Sequence, residues 1–130
     1  DGRGEMVRTG IAAEFPRADH RRAGLARRYT IHTALYGQGP VARGVGLFDW
    51  NSGASTIHDF GPGQMVEEFV FAADGAGEAD GWLVGTTLNL AAGATELHVL
   101  RAGDVAGGPV ATWRGGHALP ISFHGSFVPG

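Results

Sequence analysis

The 130-residue chain reads as an all-β protein built from antiparallel strands. Short runs of β-branched and aromatic residues alternate with a period of two, as Tyr29, Ile31, Thr33 and Leu35 do against Thr30, His32 and Ala34. The 23 glycines fall between such runs and punctuate them. Nowhere do apolar residues recur at helical spacing over three turns. Eight short strands joined by hairpin turns fit a sandwich or a small barrel. They fit a pair of four-stranded propeller blades as well, since a blade takes about 40–45 residues in familiar repeats. No internal sequence repeat accompanies them.

Residues 28–36 form the first expected strand and residues 41–50 the second. Asn51-Ser52-Gly53 then turns the chain into a third at 55–60. Gly61-Pro62-Gly63 stops that strand, because proline cannot donate to a ladder and glycine supplies unusual dihedrals. A fourth strand at 66–73 is followed by the polar loop 74–81. Strands at 82–90 and 95–101 form a hairpin across Ala91-Ala92-Gly93-Ala94. Residues 102–106 suit a single helical turn, and strands at 109–114 and 121–128 complete the set.

Hydrophobic residues make up 43% of the chain and charged ones 18%, the balance of a soluble packed domain rather than a disordered tail. Ten basic against 13 acidic side chains leave a net charge of −3, which gives no general attraction for nucleic acid. Arg17, Arg21, Arg22, Arg27 and Arg28 cluster, but Asp19 interrupts them and no aromatic stacking platform accompanies them, so a solvated loop is expected. The absence of cysteine excludes disulfides, zinc–thiolate sites and thiol nucleophiles, and it suits a reducing, cytoplasmic setting. No apolar run is long enough to span a bilayer and no signal peptide heads the sequence. The first residue is not Met and the first ten residues resemble the interior of a protein, so a fragment of a longer chain is expected.

The residues that suggest chemistry are few. Phe123-His124-Gly125 places one imidazole, a common metal ligand when neutral, beside a glycine that permits close approach. Taken alone, a histidine in an apolar strand is more often a hydrogen-bonded core residue. Glu14, in Glu14-Phe15-Pro16, reads by itself as a surface carboxylate flanking a strand. Glu67 and Glu68 are adjacent, so a regular strand turns them to opposite faces and one of them to the surface. His98 reads as a satisfied sheet residue, His20 and His117 as loop residues, and His32 and His58 as lying off the main apolar face. Trp50, Trp82 and Trp113 suit either core packing or a ligand-binding β-module, with packing preferred. No G-x-S-x-G elbow, phosphate-binding loop or dinucleotide fingerprint occurs.

Read together, Glu14-Phe15-Pro16, Phe60-Gly61-Pro62-Gly63, the Glu68 to Phe71 segment, Asp80-Gly81-Trp82-Leu83 and Phe123-His124-Gly125 resemble the C-terminal part of the carotenoid cleavage oxygenase family, which includes stilbene-cleaving dioxygenases. The resemblance implies one domain over residues 1–130, forming the last two to three blades of a seven-bladed β-propeller whose axis carries a non-haem Fe(II). Four histidines hold that iron, and glutamates hydrogen-bond three of them. Carried over, His124 is the last iron ligand, and Glu14 and Glu68 are two of the supporting carboxylates. The other ligands lie in upstream propeller residues, which the iron site requires. Phe69 stands where the family usually has proline. The implied reaction inserts O2 across a carbon–carbon double bond of an apolar polyene or stilbenoid, giving two carbonyl products, with peripheral membrane contact where substrates are lipid-soluble. The alternative is a non-catalytic remnant or β-module that binds an apolar ligand or a protein partner along an open strand edge.

Overall fold

A computed structural model describes residues 2–37 and 41–128. Pro129, at the end of the C-terminal apolar run, lies outside the described residues. Within them the protein is all-β, with two antiparallel sheets. The first is ordered β1 (Tyr29–Tyr36), β2 (Ala42–Asp49), β3 (Ala54–Asp59), and the second β4 (Gln64–Ala73), β5 (Gly81–Asn89), β6 (Ala94–Arg101), β7 (Pro109–Arg114). Within each sheet every strand pairs with its neighbour in sequence, which short turns permit only for antiparallel strands. The β2–β3 and β5–β6 turns use Gly53 and Gly93 at φ 69° and 57°, a backbone region where a side chain is strained.

One face of each sheet turns inward. Ile31, Ala42 and Val45 from the first sheet meet Val66, Phe69, Phe71, Leu83 and Leu100 from the second. The expected helical turn at 102–106 is a 3₁₀ segment, Ala102–Gly107, that buries Ala102 and Val105 in the same core. Phe60, just past β3, stacks on Phe69 at 5.9 Å between ring centroids. A second short 3₁₀ turn, His20–Arg22, had no signal in the apolar pattern; Asp19 caps it by accepting from the Arg21 amide at 3.0 Å.

β1 departs from simple alternation, because Ile31, His32, Thr33 and Ala34 are all buried. The His32 ring lies over Gly46, where a Cβ would come within 2.6 Å of it. It reaches Ser55 Oγ at 2.6 Å and the Thr33 carbonyl at 2.8 Å. The far edge of β1 is covered by an N-terminal strap: the Arg17 amide donates to the Ile31 carbonyl at 2.8 Å and the Ile31 amide returns the bond at 2.7 Å. His98 is a satisfied sheet residue as expected, buried between Thr87 Oγ1 at 3.0 Å and Thr112 Oγ1 at 2.9 Å.

Three expectations are corrected. Residues 121–128 form no strand; the segment is irregular, and the Ser122 and Gly125 amides donate to side-chain oxygens instead of a neighbouring ladder. Core packing does not describe the tryptophans: Trp50 is 48% and Trp113 62% exposed. Trp82 is half-buried, with the Arg101 guanidinium 4.3 Å over its ring. The arginine cluster is not simply solvated either, since Arg17, Arg21 and Arg28 form ion pairs with Glu68, Asp19 and Asp49.

Candidate functional site around His124

The site begins with an irregularity in β4. Val66 pairs with Thr87 but Phe69 pairs with Gly85, so Glu67 and Glu68 together oppose Thr86. Such a bulge breaks the alternation that would send adjacent side chains to opposite faces. Both glutamates are buried, and both reach the C-terminal segment. Glu67 accepts from the Ser122 amide at 2.9 Å and the Ser122 hydroxyl at 3.0 Å, and also from Thr86 Oγ1. The expectation that one of the pair is plain surface therefore fails at the bulge.

Glu68 gathers more partners. Arg17 grips it with a fork, Nε to Oε1 at 2.6 Å and Nη2 to Oε2 at 2.7 Å. The Gly125 amide donates to Oε2 at 2.7 Å, and His124 Nδ1 lies 3.3 Å from Oε1. Burial pushes the Glu68 pKa up, but the Arg17, Gly125 and His124 hydrogen bonds outweigh it and hold the carboxyl below its ordinary value of 4.5. An ionised carboxylate can only accept, so Nδ1 faces it as the donor, and a neutral ring so placed has its lone pair on Nε2. His124 is thus held in the tautomer that a metal ligand bound through Nε2 needs, with the other ring nitrogen on a carboxylate.

His124 does not sit in a core. Its side chain is 73% exposed, and the apolar surface beside it is the edge of Phe15, 5.9 Å between ring centroids. Phe15 also meets Phe123 edge-on at 6.4 Å. Its φ of 51° is rare for a side-chain-bearing residue, and Pro16 follows it.

Glu14 stands at the surface, as its reading as a carboxylate flanking a strand expects. Its side chain is exposed and has no hydrogen-bond partner among the described residues, while its carbonyl accepts from the Thr33 amide at 3.0 Å. With Phe15, Glu67, Ser122 and Phe123 it lines an open cleft of about 280 Å³. The structure so brings Glu68 and His124 into contact and places Glu14 nearby without contact to either. Among the described residues no group of three or more histidine, cysteine or acidic side chains could hold a metal ion. What the segment brings together is one exposed imidazole and one buried carboxylate.

Arg17, Glu67 and Phe15 were not singled out by the sequence. The signal for Arg17 was its place directly after Glu14-Phe15-Pro16. For Glu67 it was two adjacent carboxylates inside an apolar run, which a regular strand accommodates poorly.

Residues 2–129 match the family model described as retinal pigment epithelial membrane protein. The chain belongs to the carotenoid cleavage oxygenase family. Over 120 residues it is 29% identical to the apocarotenoid-15,15'-oxygenase of Synechocystis sp., a match covering 88% of this chain and 24% of that protein. The lignostilbene dioxygenase of Pseudomonas brassicacearum is similar in structure, with a TM-score of 0.86 and 27% identity over 92% of this chain and 28% of the other. The cobalt-substituted Synechocystis oxygenase gives a TM-score of 0.84 and 27% identity, over 91% and 26% of the two chains. The chain spans about a quarter of the length of these carotenoid cleavage oxygenase relatives.

Proposed function

We propose that this chain is the C-terminal portion of an Fe(II)-dependent dioxygenase that cleaves a carbon–carbon double bond of a carotenoid, apocarotenoid or stilbenoid. The observation that carries the reading is the His124–Glu68 contact, which on a neutral ring leaves the Nε2 lone pair free at an exposed position. In this reading His124 holds iron through Nε2, and Glu68 fixes the ring and its tautomer. Glu14, unpartnered here, would serve an imidazole contributed from outside the segment. The two sheets would be blades of a larger propeller that supplies the remaining ligands. Phe15, Ile121 and Phe123, at the cleft shared with Glu14, present apolar edges suited to an alkene. The chemistry iron supplies when bound is dioxygen activation, so that one oxygen atom ends on each former alkene carbon.

The test is His124→Ala in the protein as its gene encodes it. Iron content should fall to background and turnover should vanish. Stoichiometric iron in that variant would remove His124 from the centre. The intact mass of the same gene product separates this reading from a second one, favoured by the exposed Val110 and Trp113 on edge strand β7. A mass several times 13.5 kDa fits the oxygenase portion, whereas a mass near 13.5 kDa fits a module that binds a partner along that edge.

A further inference from the structure

We infer that Arg17 is a positioning residue for His124, clamping Glu68 and the Gly125 carbonyl together so that the C-terminal segment presents its imidazole in one orientation. Residues 119–127 have no strand to hold them. Their main chain hangs on side chains: Leu119 N donates to Thr95 Oγ1 at 2.9 Å, Ser122 N to Glu67 and Gly125 N to Glu68. Next to His124, both main-chain groups of Gly125 are taken by a single ion pair. Its amide donates to Glu68, and its carbonyl accepts from Arg17 Nη2 at 2.8 Å.

Arg17 is itself well anchored. Its amide and carbonyl both pair with Ile31, so the guanidinium leaves a strap pinned to the first sheet, grips a carboxylate of the second, and ends on the C-terminal segment. One side chain thereby ties three parts of the molecule. Only a planar fork can reach both Glu68 oxygens and still direct an N–H at a carbonyl; an ammonium group is a point donor without that geometry. The pair is also neutral as a unit. Glu68 therefore acts on His124 as a fixed acceptor, and removing Arg17 would leave a buried carboxylate unpaired.

The clamp on the segment stands on the geometry alone, while its effect on a metal rests on the proposed iron site. The test uses the whole gene product with Arg17→Met and Arg17→Lys. Hydrogen exchange is followed over residues 119–127, and Co(II) titrations are read by visible absorption. Exchange in that segment should quicken about tenfold or more in Arg17→Met while amides of β5 and β6 keep their protection. Co(II) should bind about 10–100-fold more weakly, as when a partner of a metal-bound histidine is lost. Arg17→Lys should keep the fold but restore neither property, and it carries the test if Arg17→Met does not fold. Wild-type exchange in the segment overturns the inference. Faster exchange with unchanged Co(II) affinity also overturns it, since Arg17 would then be only a structural tie. If the unaltered protein takes up no Co(II), the iron reading fails, and exchange alone decides for or against the clamp.

Discussion

Glu68 shows how much a single carboxylate can organise. Two donors from Arg17, one from Gly125 and one from His124 occupy its two oxygens. Glu68→Gln keeps the shape but strips the charge and turns one acceptor into a donor facing the guanidinium. Iron affinity should fall about 10–100-fold, less than in His124→Ala, as equilibrium titration would read. Acid acts on the same atoms. The folded pKa of Glu68 lies below its ordinary 4.5, so its stabilising contribution is complete above that value and is lost as pH falls through the folded value. Hydrogen-exchange protection over residues 119–127, taken relative to intrinsic rates, should therefore fall on acidification below pH 4.5, and Glu68→Gln should abolish that step. His124 and Glu68 were legible because each belongs to a motif. Arg17 was not, because its partner carboxylate lies 51 residues away and its one local mark is its place after Glu14-Phe15-Pro16. Glu14 was legible as an exposed carboxylate flanking a strand, while a partner for it would have to come from outside the described residues.

Alternation and turn chemistry placed β1 to β7 to within two residues at each end, because antiparallel strands with one buried face advertise both. Residues 121–128 have the same apolar composition and yet no ladder. A strand needs an edge to pair with, and composition does not report whether one is free. The β4 bulge was equally silent, since its only trace is a register offset against β5. Close packing beside that bulge gives a sharp test. A Cβ on Gly85 would fall 2.5 Å from the Phe69 ring, which is fully buried and cannot swing away. Gly85→Ala should cost about 1–3 kcal/mol, measured by denaturant unfolding, and Gly85→Ala with Phe69→Leu should recover part of it. An unchanged midpoint in the single variant would mean that the ring is not seated over Gly85.

For the molecule as a whole, the core runs from one sheet to the other through Val45, Phe69, Leu83 and Leu100. Leu83→Ala or Leu100→Ala should each cost about 2–5 kcal/mol in unfolding, the cost of emptying a well-packed site. The candidate site has a different dependence on the chain. Its parts come from residues 14–17, 67–68 and 122–125, and the Arg17 to Gly125 contact spans 108 positions of sequence. Contacts of such separation close the largest loop and carry the largest entropic penalty, so they form after the local hairpins have joined. Metal capture would then report completion of folding. Cleavage within residues 115–120 would leave β1 to β7 in place and still release His124 from Glu68, making that short connection a checkpoint on the folded arrangement.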